Sequence, residues 1–132
     1  MRLSLEEAKR VIAAAQKKAQ DLGVPETVAV VDAGGNLVAL ERQDGAIFAG
    51  VEIAINKAYT SAATGYPTEG IGKIAQPGQF AYGIALTNNG RIIIFEGGVP
   101  LMRDGKLVGG VGVSGGTAMQ DGDCAEAGAG AL

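Results

Sequence analysis

The chain has 132 residues, with 11 Lys and Arg against 14 Asp and Glu, a net charge of −3, and 47% hydrophobic residues. That balance excludes a disordered chain and a basic nucleic-acid-binding surface, and no apolar run approaches the roughly 20 residues of a membrane-spanning helix. With no His and one Cys, imidazole catalysis and an intrachain disulfide are excluded, so chemistry falls to Lys, Arg, Asp, Glu, Tyr, Ser, Thr, Cys124 and backbone amides. The length suits one domain over 1–132, and the lone thiol and absence of a leader at the first residue predict a cytoplasmic protein.

In chain order, Ser4 and Glu7 predict a capping box for the helix in SLEEAKRVIAAAQKKAQDLG. Its Leu5, Ala8, Val11, Ile12, Ala15, Ala19 and Leu22 share one face, and Gly23 with Pro25 stops it. TVAVVDAGG and NLVALERQ read as hairpin strands around Gly34-Gly35-Asn36, with Asp32 and Arg42 expected as a hairpin ion pair. Asp44 is expected to cap a second helix carrying Ile47, Val51, Ala54, Ile55, Ala58 and Ala62, with Lys57 off that stripe. TEGIGKIAQPGQF reads as a partly helical loop. FAYGIALT and RIIIFEG are predicted as strands joined at Asn88-Asn89-Gly90, and GGVPLMRDGK as a loop. LVGGVGVSG is the last strand, and Thr117 with Gln120 caps a helix running to Leu132. Short turns between consecutive strands predict a mostly antiparallel sheet with helices packed on it, an α+β fold.

GVGVSG, Gly110 to Gly115, matches the G-x-G-x-x-G spacing of dinucleotide sites. That site needs a helix and then a second parallel strand after the glycines, and too few residues follow Gly115 for both. Gly110 and Gly112 also fall inside the strand, and Asp121 and Asp123 would repel a phosphate at the following helix. The glycines instead leave a shallow face, shared with Val108 and Ser114, where a helix or a flat ligand approaches the backbone.

AVVDAGGNLVALERQDGA, KAYTSA, GGVPL, and GGVGVSGG followed by D-x-x-x-A-x-x-G together resemble the GlcG/HbpS family, from about Ser4 to Leu132. The resemblance implies an antiparallel five-stranded sheet flanked by helices, profilin-like or PAS-like, and assembly as a dimer or larger homo-oligomer. The family includes haem-binding and haem-degrading proteins, the C-terminal domain of PduO-type cobalamin adenosyltransferases and a glycolate-operon protein, and a hydroxylaminobenzoate lyase is similar. Haem is thus the cofactor that the resemblance implies. Some relatives use a histidine near the N-terminus as an iron ligand. This chain has none, which leaves Tyr59, Tyr66, Tyr82, Met102 and Cys124 as the side chains able to substitute. Each also has a structural reading, and Cys124 is expected to be an inert buried thiol.

The candidate catalytic residues are Lys57, Glu96 and Asp121, with no metal site. Lys57 is read either as a solvated lysine or as a group that meets a substrate carboxylate, with Tyr59 and Thr60 beside it; the match at KAYT favours the second. Glu96 precedes Gly97-Gly98, which form either a plain connection or an anion-binding nest, in the GGVPL motif that includes Pro100. Asp121 follows Ser114-Gly115-Gly116, the strand-to-helix corner where a pocket rim is expected. Three functions follow: a small-molecule-binding protein, with haem or another flat tetrapyrrole as one ligand; a lyase or isomerase acting on a small carboxylated substrate; or a structural, partner-binding module.

Overall fold

The first capping box forms as the sequence predicts. Ser4 Oγ accepts from Glu7 N at 3.0 Å and Glu7 Oε1 accepts from Ser4 N at 2.9 Å, opening α1 (Leu5–Leu22). In the computed structural model, which describes residues 2–132, α1 buries Ala8, Val11, Ile12, Ala15 and Ala19, while Leu5 and Leu22 at its ends stay exposed.

The hairpin also forms, between β1 (Thr27–Asp32) and β2 (Leu37–Arg42). Asp32 Oδ1 closes its turn by accepting from the amides of Gly34 at 3.0 Å and Asn36 at 2.9 Å. The expected Asp32–Arg42 ion pair does not form, because the two residues sit at opposite ends of the hairpin. Arg42 pairs with Thr27, and its Nε donates to Ala46 O at 2.9 Å.

Among the described residues the sheet has four antiparallel strands rather than five, in the order β2-β1-β4-β3, with β3 spanning Gly98–Arg103 and β4 Lys106–Ser114. FAYGIALT and RIIIFEG are not strands, and the GGVPLMRDGK segment expected as a loop supplies β3. Residues 80–90 instead form short 3-10 turns at Ile84–Leu86 and Asn88–Gly90. Gly83, at φ +93°, breaks the first run. The second run instead docks on a helix side chain: Thr60 Oγ1 accepts from Ile93 N at 3.0 Å and lies 3.0 Å from Arg91 O. One hydroxyl thus takes the place of a ladder partner, and Ile92 is buried beneath.

The second helix, α2 (Ala49–Thr64), starts later than expected. Its cap position is Phe48, with no side-chain hydrogen bond, so Asp44 does not cap it. Its inward face is also rotated from the predicted stripe. Gly50, Ala54, Lys57, Ala58, Ser61 and Ala62 are buried and Ile47 is exposed, so Lys57 is an interior residue. A short helix, α3 (Thr68–Ile74), follows within the stretch read as a partly helical loop. The last helix, α4 (Ala118–Ala129), has the expected box, Thr117 with Gln120, and stops short of Leu132.

Helices α1 and α4 cover one face of the sheet and α2 the other. On the α1–α4 side Val28, Val30, Val111 and Val113 pack with Val11, Ile12, Leu101, Cys124 and Ala125. Val108 joins this cluster rather than the glycine face, because the β3–β4 register shifts between Leu101 and Met102. On the other side α2 lies directly on the strand glycines. A Cβ on Gly110 would stand 2.3 Å from Ala58 O, and one on Gly112 2.0 Å from Ala54 O. The bare face is therefore filled by a helix.

Gly112→Ala is expected to cost about 1–3 kcal/mol or more, as overpacking against backbone that cannot yield. Gly70→Ala in α3, where the new methyl meets open space, should stabilise by about 0.5–1 kcal/mol. Urea denaturation of the two variants checks both signs.

Candidate functional site

The most costly feature of the interior lies at the Ser114 end of β4. Lys57, on α2, reaches past the strand end to the first turn of α4 on the opposite face. Its Nζ donates to Asp121 Oδ2 at 2.9 Å and to Val113 O at 2.8 Å, with the lysine side chain 0% and the aspartate 5% exposed. Asp121 Oδ1 accepts from Gly116 N at 2.9 Å, so both carboxylate oxygens are engaged. The Phe95 ring lies 5.2 Å from the ammonium. Burial pulls the Lys57 pKa below its ordinary value, and the charge and hydrogen bond of Asp121 hold it up. The pair survives in the interior because every charged atom has a partner.

The approach of Lys57 dictates the neighbouring backbone. Gly97 has φ +121°, and a Cβ there would stand 2.6 Å from Lys57 Nζ and 2.5 Å from Val113 O. A Cβ on Gly98 would stand 2.5 Å from Lys57 O. The GG of GGVPL is therefore required by close packing around the lysine. Of the two readings of this turn, the nest needs successive free amides, and Gly98 N instead donates to Thr68 Oγ1 at 2.9 Å.

Glu26 completes the cluster and escaped the sequence reading. It sits between Pro25 and the first residue of β1, where nothing in the local pattern separates a buried acid from a solvated one. It is fully buried, and its pKa is pushed up to about 8 by burial and then by the neighbouring Asp121 carboxylate. Cys124 lies in the same interior, its thiol pushed up to about 12, chiefly by burial and then by Glu26. It is a buried, protonated thiol, as the sequence predicts.

Outside this cluster is a cleft of about 240 Å³, lined by Glu96, Gly97, Gly98 and Val99 on one side and Met119, Gly122, Asp123 and Glu126 of α4 on the other, with Pro67 and Glu69 closing it. Of the candidate residues, Glu96, Gly97 and Gly98 line the cleft, Lys57 and Asp121 lie buried and bonded to each other, and Gly116 binds Asp121. Ser114 and Gly115 form the adjoining corner. Ser114 packs against Gly50 of α2, and a Cβ on Gly115 would meet Glu26 Oε1 at 2.9 Å. Three candidates lie elsewhere. The Tyr59 ring stacks on Arg91 at 3.7 Å and its hydroxyl accepts from Asn88 at 2.9 Å. Thr60 holds the Arg91–Ile93 backbone, and Pro100 pairs with Gly110 in the sheet.

A family profile described as haem degrading protein HbpS-like matches residues 3–130. The chain belongs to the HbpS-like family. An uncharacterized 15.0 kDa protein from the dhaT-dhaS intergenic region of Citrobacter freundii is 44% identical over 119 residues, covering 90% of this chain and 84% of its own. The crystal structure of Klebsiella pneumoniae protein ORFY matches with a TM-score of 0.96 at 39% identity, covering 99% of this chain and 91% of that one. A crystal structure of a PduOC–heme complex matches at 0.95 and 36% identity, covering 100% and 96%. The HbpS-like fold of these relatives therefore extends over the whole sheet and all its helices.

Breaking the buried pair has a directional cost. Lys57→Met leaves Asp121 charged and uncompensated, and we expect a loss of about 3–5 kcal/mol near neutral pH. Chemical denaturation of the variant and the parent protein at neutral pH measures it.

Proposed function

We propose that the protein binds a small molecule in the cleft between the Glu96–Val99 segment and α4, and that the ligand is neutral or cationic and smaller than haem. The observation that carries this reading is the character of the cleft wall. Glu69, Glu96, Asp123 and Glu126 line it with no Lys or Arg among them, around a volume of about 240 Å³. That lies below the ~300–1,000 Å³ of pockets enclosing drug-sized ligands. Buried Lys57 is directed at Asp121 and Val113, and the Asp121 carboxylate matches its charge, so the lining keeps a net negative charge.

Haem is the ligand named for the PduOC relative, and the residues of this chain do not fit it as an enclosed group. The chain has no His. Of the side chains able to substitute, Tyr59 is held by Asn88 and Arg91, Tyr66, Tyr82 and Met102 are exposed and are not among the lining residues, and Cys124 is a buried thiol. Met119 alone of the lining residues offers an atom soft enough for iron. Haem propionates would also meet four carboxylates.

A lyase or isomerase reading rests on Glu96, the one member of the Lys57, Glu96 and Asp121 set that faces the cleft. The other two act behind it as a fixed ion pair. A carboxylated substrate is disfavoured by the same lining, so ligand binding is the first reading. We also propose that the protein self-associates. Phe80 and Leu86 are each 87% exposed and Tyr82 68% exposed within one short segment, and a second copy is the partner implied by the family resemblance. The lone buried thiol fits a reducing compartment such as the cytoplasm.

Hemin titration is expected to give no saturable Soret change at low micromolar concentration; a saturable change would overturn the size limit. In a ligand-observed NMR screen of matched small cations, neutrals and anions, hits should come from the first two classes and vanish in Met119→Trp, which fills the mouth. Predominantly anionic hits would reverse the assignment. By light scattering, Phe80→Ser combined with Leu86→Ser should reduce the assembly mass; a monomeric parent protein would end the self-association reading.

A further inference from the structure

Glu26 is completely buried, and among the described residues neither of its carboxylate oxygens has a donor. A buried carboxylate with two empty acceptor positions is among the most unfavourable arrangements available to a protein interior. The groups around it come from three directions. Asp121, whose Oδ1 holds the Gly116 amide next to the Gly115 that Glu26 Oε1 abuts, and the Cys124 thiol belong to α4, with Asp123 farther along that helix. Lys57 approaches from α2, and Glu96, on the segment before β3, adds its charge at Lys57. The Gly116 amide lies at the corner after β4. The lysine is already committed, at 2.9 Å to Asp121 and 2.8 Å to Val113 O. An ionised Glu26 would therefore put two carboxylates on one ammonium in a space closed to water.

A single proton resolves both problems. Protonated Glu26 has a hydroxyl to donate, Asp121 is the neighbouring carboxylate to accept it, and the trio becomes electrically neutral. We propose that Glu26 is a neutral carboxylic acid donating to Asp121, so that Glu26, Asp121 and Lys57 form one buried proton-holding unit behind the cleft. The direction of the Glu26 pKa agrees: burial and then Asp121 raise it to about 8, against the opposing pull of the Gly116 amide and Lys57. The Cys124 thiol, at about 12, stays protonated throughout this range. Glu26 is a positioning residue here, because its proton sets the charge balance of the Lys57–Asp121 pair. The inference concerns the resting protein and stands apart from the ligand proposed above.

The signature is spectroscopic. In the ligand-free wild-type protein at about pH 6.5, where ordinary carboxyls are ionised, infrared spectroscopy should show one protonated carboxyl band. It should fade as the pH passes about 8 and be missing from Glu26→Gln. A wild-type protein without the band, or a variant that retains it, would overturn the proposal. Stability supplies a second readout. A carboxyl raised in the folded state contributes stability that is complete below its unfolded pKa and is lost as the pH rises to the folded value. The Gln amide donates to Asp121 at every pH. Between about pH 5.5 and 7 the wild-type unfolding constant should therefore rise about tenfold per pH unit relative to Glu26→Gln, and level off above about 8; parallel profiles would count against a proton on Glu26. Should the variant fail to fold, a carboxyl 13C titration of Glu-labelled wild-type protein decides. One glutamate titrating near 8 supports the unit, and ordinary titration of every glutamate refutes it.

Discussion

The ion pair between Lys57 and Asp121 is the constraint on which the rest of the structure depends. It joins a helix on one face of the sheet to a helix on the other, around the end of β4. A charged pair removed from water stabilises little by itself and tolerates no missing partner. Its surroundings are shaped accordingly. Val113 offers a carbonyl, Gly116 an amide, Gly97 and Gly98 give up side chains so that the lysine fits, and Thr68 takes the amide left at Gly98. The GG of GGVPL, the strand end and the first turn of α4 are thus parts of one solution to a burial problem.

The second constraint is the closeness of α2 to β4. Gly110 and Gly112 allow the carbonyls of Ala58 and Ala54 to approach where any side chain would collide. That spacing carries Lys57 deep enough to pass the strand end, since it lies on the same buried face as Ala54, Ala58 and Ser61. Glycine in a strand weakens it on its own account, and here the helix contact replaces the missing side chains. Position then turns into chemistry. The cleft opens where α4 leaves the sheet, so its wall is built from the carboxylates of α4 and α3 and from Glu96, while the cation stays behind the wall.

Legibility in the sequence followed how local each interaction was. Both capping boxes, the β1–β2 turn and the glycine stop of α1 were readable because each is settled within four residues. FAYGIALT and RIIIFEG had the composition of strands and did not become strands. Gly83 at positive φ breaks the first, Thr60 Oγ1 takes the Ile93 amide of the second, and the place beside β4 goes to Gly98–Arg103, whose glycine and proline had suggested a loop. In the candidate site, Lys57, Glu96, Gly97, Gly98 and Asp121 were legible as residue types beside recognisable motifs. Tyr59 and Thr60 were drawn in by their nearness to Lys57 in sequence, yet they turn toward Arg91, Asn88 and Ile93 instead.

By itself the sequence determined membership of the HbpS-like family, an α+β fold, the first and last helices, the first hairpin, and the rejection of a dinucleotide loop at GVGVSG. These rest on order, periodicity and short-range hydrogen bonds, which a linear string records. Only the tertiary structure decided that Lys57 is interior, that α2 fills the glycine face, that four strands form, and that Glu26 lies unpartnered against Asp121. Glu26 and Asp121 are far apart in sequence, and their chemistry comes from removal of water on every side. Burial belongs to the packed layers, and no pattern of neighbours along the chain encodes it.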